Sequence, residues 1–436
     1  MHNQFSLLTQ RRFLPFFTAQ ALGALNDNVY KNVLVILATY HTARYTAMDL
    51  GLLTNLAAGL FILPYLLFSG VAGQLADKYD KTIILRTVKI CEFAIMLIAS
   101  VGLSLHIMGI LLLAVFLMGA HSTFFAPAKY GLLPEILTDT ELTGGNALLE
   151  MGTFMAIVLG TLLAGILASA DQLLLTTGIL VLIAVAGFVS SRAIPPLIPI
   201  DPTLKIDWNI IRATLTSLRV TRDEPMVLRA IIAISWFWLF GVVMLTHIPM
   251  LGARVMHGTE GVVTLLLVGF SVGIGIGSLA CERMTGRTLN IGLVPIGSTG
   301  LTLFSLDLSA ATSHMMTAGQ ISAAQFMQSW TGAHILCDVL LIGIAGGLYI
   351  VPLYTLMTQM SPARVRSRIV SANSIWNALF MVIGSLLGAT ALAGGLDIPQ
   401  LILGLSVLNV MFAAWLFIGS PQFIKEFYLL LVRPSS

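Results

Sequence analysis

Gly73-Gln-Leu75-Ala-Asp77-Lys78-Tyr-Asp80-Lys81 separates two apolar runs, at 49–76 and 82–104. Each run is long enough to cross a hydrocarbon core of ~30 Å as a helix, so the charged stretch between them is a turn at a membrane surface. Its residue types have specific uses there. Gly73 lets a neighbouring helix come close. Asp77 is suited to meet the positive amino end of a facing helix. Lys78 and Lys81 hold the turn on the cytoplasmic side.

The rest of the chain repeats this pattern. Of 436 residues, 57% are hydrophobic and only 10% are charged, whereas soluble domains run near a quarter charged. A charged shell for a soluble fold of this size is missing. Barrel strands alternate apolar and polar residues, but Ile179 to Val189 and Leu401 to Ile418 are apolar on every face, as helices inside lipid are. No basic stripe interleaved with aromatics suggests nucleic acid. Cys91, Cys281 and Cys337 lie in or beside apolar runs without partner histidines, which argues against a disulfide or zinc framework. No cofactor and no metal is expected. The start, with Arg11-Arg12 before Phe13 to Phe17, resembles a signal peptide, but the run is interrupted by Asn26-Asp27-Asn28 and resumes through Val33 to Ala38. It reads as a long first helix with a polar centre.

Twelve helical spans follow: 13–40, 49–76, 82–104, 107–127, 146–168, 172–192, 226–252, 261–282, 289–311, 331–359, 369–393 and 398–419. The longest polar break, with four prolines and an amphipathic piece from Trp208 to Val220, divides the chain into a six-helix bundle at 1–192, a cytoplasmic linker at 193–225 and a second six-helix bundle at 226–436. With the amino terminus inside, 19 of the 23 lysines and arginines fall on the cytoplasmic side, and only Arg44 and Arg254 fall opposite. The positive-inside rule then puts both termini in the cytoplasm.

The halves echo one another. Asn146-Ala-Leu-Leu-Glu150 corresponds to Asn373-Ser-Ile-Trp-Asn377, Pro127-Ala-Lys129-Tyr130 to Pro352-Leu-Tyr354-Thr355, and Gly73-Gln-Leu-Ala-Asp77 to Gly277-Ser-Leu-Ala-Cys281. Parallel six-helix halves are the plan of the major facilitator superfamily. The turn at 73–81 resembles that superfamily's Gly-x-Leu-x-Asp-Arg-x-Gly-Arg-Arg signature, with Asp80 in place of a glycine and Cys281 in place of the acid in the second copy. The resemblance implies that Gly73, Asp77, Lys78 and Lys81 form a latch that closes the cytoplasmic side.

Gly23 to Asn32, Phe124 to Gly131, Asn146 to Glu150 and Gly277 to Arg283 resemble the bacterial lysophospholipid transporter family, especially the form fused to an acyltransferase. That family moves lysophospholipids, chiefly lysophosphatidylethanolamine, across the inner membrane to the cytoplasmic leaflet, by alternating access or lateral entry and without a proton gradient. The resemblance implies a transporter and no enzyme, with lysophospholipid and membrane lipids as its molecular partners, a separate acyltransferase as a protein partner, and a monomeric state. The chain stops at Ser436, so no acyltransferase is expected within it. Met244, Leu245 and Thr246 stand where the free-standing branch carries an arginine.

A charge at bilayer depth is costly and marks function by default. Asp27 and Lys31 share one face of the first span, either as a self-neutralising pair or, beside Asn26 and Asn28, as part of a wet cavity. A lysophosphatidylethanolamine headgroup carries an ammonium and a phosphate. Asp27 or Glu150 would receive the first, and Lys129 or Lys31 the second, with Asn26, Asn146 and Asn377 alongside. Lys89 and Glu92 are expected to brace the Asp77 turn. Asp338 is deep in the tenth span and reads equally as a gating or a pairing residue, Asp307 is expected to be solvated, and no two histidines have metal-ligand spacing. Glycines at 269, 273, 275 and 277 suit tight helix packing or a lateral slit for a lipid tail. The competing functions are a proton-coupled exporter or importer of a drug, siderophore or metabolite, and a non-transporting scaffold for a soluble acyltransferase.

Overall fold

The computed structural model describes residues 4–40, 50–169, 173–285, 289–313 and 319–432. Arg44, Arg287, His314 and Arg433 lie outside them. Among the described residues the regular secondary structure is helical apart from an isolated bridge between Gly258 and Ile321, and residues 193–209 form a non-helical linker. Among the described residues, eleven helices are long and apolar enough to cross a membrane. The twelfth is α1 (Leu14–Tyr40), whose Asn26-Asp27-Asn28 centre dilutes its hydropathy.

The next five are α2 (Leu50–Lys78), α3 (Lys81–Leu105), α4 (Met108–Ile136), α5 (Asp139–Ser169) and α6 (Leu173–Arg192). Two extend further than their apolar runs. α4 continues through Pro127 and Pro134, because at membrane depth neighbouring groups serve the backbone atoms a proline frees. α5 begins seven residues before its apolar run, with Asp139 and Glu141 in its first turn where the helix dipole favours acids. Asp80, which breaks the family signature, is the N-cap of α3; its side chain accepts a hydrogen bond from Thr82 N at 2.7 Å.

The amphipathic linker piece is α7 (Ile210–Val220), with Asn209 as its cap. The remaining helices are α8 (Pro225–Met250), α9 (Glu260–Thr285), α10 (Leu293–Ser313), α11 (Ala323–Gln328), α12 (Trp330–Met360), α13 (Arg366–Ala393), α14 (Ile398–Gly419) and α15 (Gln422–Val432).

Contacts group the chain into two compact units. The first comprises Met1–Thr138, Ala156–Leu228 and Thr358–Ala378; the second comprises Asp139–Met155, Arg229–Met357 and Leu379–Ser436. Within the first, α2 packs on α4, α3 on α4 and α6, α1 on α6, and α7 on α2. The core there includes Val29, Tyr30, Leu34, Met96, Leu103 and Leu180, and the Tyr30 hydroxyl donates to Leu111 O at 2.8 Å. Within the second, α10 packs on α14, and Asn409 ties Trp236 to Ser298 and Thr302 with bonds of 2.7, 3.0 and 2.9 Å. A Cβ at Gly273 would collide with Leu340 O, and one at Gly343 with Phe270 O. Gly269, Gly273 and Gly277 of α9 therefore serve close packing against α12 rather than a slit, while Gly275 faces Met151 and Met155.

Candidate functional site

The first unit holds a buried polar cluster built by α1, α3 and α4. Lys89 Nζ lies 2.6 Å from Glu92 Oε2, and both side chains are almost fully buried. Asn26 Nδ2 donates to Glu92 Oε1 at 3.0 Å, His121 Nε2 stands 3.3 Å from Glu92 Oε2, and the Lys89 ammonium lies 5.3 Å from the Phe125 ring centroid. Lys89 and Glu92 thus serve α1 and α4; neither braces the Asp77 turn. One residue on from Asn26, Asp27 is 9% exposed. Ser122 Oγ donates to its Oδ2 at 2.9 Å, while its Oδ1 accepts no hydrogen bond. A buried acceptor left unserved costs ~1–3 kcal/mol unless water or a ligand reaches it. Lys31 places its ammonium 4.1 Å from the Phe61 ring centroid. Lys129, buried near the end of α4, donates to Gln20 Oε1 at 3.0 Å.

A second polar focus in this unit is the turn after α2. Asp77 is fully buried; its Oδ1 accepts from Ser367 N and its Oδ2 from Arg368 Nε, both at 2.9 Å. Ser367 lies in the first turn of α13, so the carboxylate meets a helix amino end and a guanidinium together. Gly73 is what lets the backbones approach: a Cβ there would stand 2.9 Å from both Arg368 Cα and Ser367 O. Lys81 pairs instead with Glu135 at 2.7 Å, and the Lys78 ammonium lies 5.6 Å from the Tyr79 ring. The linker is strapped to the same place. Asp201 N donates to Asp77 O at 3.0 Å, Asp207 N donates to Gln74 Oε1 at 2.8 Å, and Arg364 Nε donates to Asp201 Oδ2 at 3.1 Å. That last hydrogen bond holds the Asp201 carboxyl below the usual carboxylate range.

In the second unit, Asn146 Nδ2 donates to Leu142 O at 3.0 Å and to Thr355 Oγ1 at 3.4 Å, and its Oδ1 is buried without a hydrogen bond. Glu150 follows one turn later, 1% exposed. One further turn on, Phe154 stacks on Trp238, whose Nε1 donates to the Tyr354 hydroxyl at 3.0 Å. Cys281, the counterpart of Asp77 in the repeat, is buried and turns its Sγ toward Gly277 O of its own helix. Asp338 is 2% exposed and lies 3.6 Å from His334 Nε2, which is 3.0 Å from Asp307 Oδ2.

Residues 16–385 match the family model of the Major Facilitator Superfamily. The chain belongs to that superfamily. This facilitator is 27% identical over 411 residues to "Lysophospholipid transporter LplT" of Klebsiella pneumoniae (strain 342), covering 91% of this chain and 92% of that one. It is 23% identical over 360 residues to the protein of the same name from Serratia proteamaculans (strain 568), covering 81% of each. Among solved structures it is similar to the facilitator FucP in the outward conformation, with a TM-score of 0.67 and 15% identity over 93% of this chain and 99% of that one. A bacterial homologue of the iron transporter ferroportin, outward-facing, also has a TM-score of 0.67, at 14% identity over 96% of this chain and 99% of that one. These two likenesses bear on the fold alone.

Of the residues singled out in the sequence, this facilitator carries Asn26, Asp27, Lys31, Lys129 and Asn377 in its first compact unit, with all four residues of the 73–81 turn, and Asn146, Glu150 and Asp338 in its second. Asn377 is half-buried on α13. Three arrangements escaped the sequence reading: the Lys89–Glu92–His121 cluster, the Asp201–Arg364 bond, and the meeting of Asp307 with His334. Each joins residues far apart in the chain. The one local signal was the i,i+3 spacing of Lys89 and Glu92 in an otherwise apolar run.

Proposed function

We propose that this protein moves lysophospholipids, chiefly lysophosphatidylethanolamine, across the bacterial inner membrane to the cytoplasmic leaflet, without needing a proton gradient. The observation that carries this reading is the likeness to lysophospholipid transporters along 91% of this chain and 92% of the relative. The protein is a transporter and no enzyme, acts as a monomer, has both termini in the cytoplasm, and hands its product to a separate acyltransferase. Its halves are 1–192 and 226–436, joined by the linker 193–225.

The headgroup site draws on Asp27 or Glu150 for the ammonium and on Lys129, with Lys31 as second cation, for the phosphate. Asn26, Asn146 and Asn377 add polar lining. In support, Asp27 Oδ1 and Asn146 Oδ1 are buried acceptors without a hydrogen bond, as in a site served by water or substrate. Asp77, with Gly73, Lys78 and Lys81 around it, is the latch of the cytoplasmic side.

The test is movement of labelled lysophosphatidylethanolamine in spheroplasts producing this protein, with and without an uncoupler. Movement should survive the uncoupler. Asp27→Asn and Glu150→Gln should each slow it about tenfold to a hundredfold, since a charge-assisted hydrogen bond contributes ~1.5–3 kcal/mol, with normal amounts of protein in the membrane. Normal rates in both variants would overturn the site. Collapse with the uncoupler would favour the proton-coupled exporter, and no movement at all would overturn the substrate.

A further inference from the structure

Asp307 on α10 and His334 and Asp338 on α12 converge at the ends of these helices away from Arg283. His334 Nε2 is 3.0 Å from Asp307 Oδ2 and 3.6 Å from Asp338 Oδ2, and the three ligand atoms all lie within 4.8 Å of one another. Zinc-like ions bind imidazole nitrogen and carboxylate oxygen at ~2.0–2.2 Å, which sets neighbouring ligand atoms ~3–3.5 Å apart. Two of the three separations are already near that range, and about an ångström of closure suffices for the third.

The spacing alone would describe any acidic cluster. What distinguishes this one is its floor. The Asp338 side chain is 3% exposed, and its Oδ2 accepts no hydrogen bond although it points at the other two groups. Among the described residues no lysine or arginine forms an ion pair with either carboxylate; His334 is the partner of both. A buried carboxylate oxygen that accepts no hydrogen bond and has only an imidazole 3.6 Å away is open to a cation. Two carboxylates and a neutral imidazole would be balanced by a dication. Access is open from the other side, since the Asp307 and His334 side chains are 52% and 38% exposed. The donor set selects the ion: a nitrogen with two carboxylates suits zinc and its first-row neighbours, whereas magnesium and calcium prefer oxygen alone.

We propose that Asp307, His334 and Asp338 form a binding site for a divalent first-row transition-metal cation of the zinc class. The bound ion cross-links α10 to α12 at that membrane face. No residue of the headgroup site takes part, so the two proposals stand or fall separately.

The full chain, purified in detergent without a polyhistidine tag and stripped with a chelator, is titrated with Zn²⁺ by calorimetry and with Co²⁺ by visible absorption. One saturable equivalent is expected, with a Co²⁺ band of mixed nitrogen and oxygen ligation and a rise in Tm on adding Zn²⁺. Excess Mg²⁺ should not displace either ion. His334→Gln and Asp338→Asn should each weaken binding by about tenfold or more, and the exposed Asp223→Asn should not. Absence of a saturable Co²⁺ band overturns the site, as does a band that His334→Gln leaves unchanged. If Asp338→Asn yields no monodisperse protein, the partly exposed His334→Gln decides alone.

Discussion

Lys89 shows how a single polar residue is accommodated within an apolar helix bundle. Its ammonium has Glu92 at 2.6 Å and the Phe125 ring beneath, and Glu92 is in turn held by Asn26. Removing one member of a buried pair costs more than removing both, because the survivor is left uncompensated. Glu92→Gln should therefore destabilise the protein by ~3 kcal/mol or more, while Lys89→Met with Glu92→Gln recovers part of the loss. Thermal unfolding followed by size-exclusion fluorescence reads both; equal loss in the single and double variants would mean that the pair is not a unit. The types of these residues were legible in the sequence, and their partner was not. Both lie on one face of an apolar helix, but whether that face meets the Asp77 turn or Asn26 depends on how α1 packs, which no local pattern encodes. Asp27 was legible for the opposite reason: a carboxylate among asparagines in an apolar run is costly in any packing.

At the scale of elements, the decisive contact is the carboxylate of the α2 turn against the amino end of α13. Asp77→Asn keeps the shape and removes the charge, so it should weaken this contact by ~1–2 kcal/mol, and cysteines placed on the inner face should label faster. Unchanged labelling would reduce the turn to a connector. The neighbouring Asp201 bond adds a pH statement. Arg364 lowers the carboxyl's pKa on folding, so its stabilisation is present above the ordinary value of ~3.9 and is lost only as pH falls through the lowered one. Asp201→Asn should hence raise labelling equally at about pH 5.5 and pH 8; an effect confined to one of these would refute the assignment. Helix positions were read well because apolar length dictates them. The ends that moved furthest, 127 to 136 in α4 and 146 to 139 in α5, are those where polar or proline residues continue a helix that lipid does not require.

At the scale of the whole molecule, the superfamily was legible because composition leaves a chain this apolar few architectures, and the turn at 73–81 narrows them to one. The grouping into compact units was not legible. Asp139–Met155 of α5 and Thr358–Ala378 group with units other than their chain neighbours, and contacts decide that, not hydropathy. The charge bias gives the topological prediction: a reporter after Ser436 should be cytoplasmic, and one at Ala318 periplasmic, both sites lying outside the described residues. Both reporters on one side would remove the twelve-helix plan.

The strap that fastens the linker has a consequence for how this protein can vary. Asp201 and Asp207 hold Asp77 and Gln74 through their main-chain amides, which every residue but proline possesses. Between these two anchors the spelling of the chain is free to drift, whereas its residue count is not: one insertion or deletion would slide an amide off its acceptor. Homologues should therefore differ widely in letters across this segment while aligning without gaps.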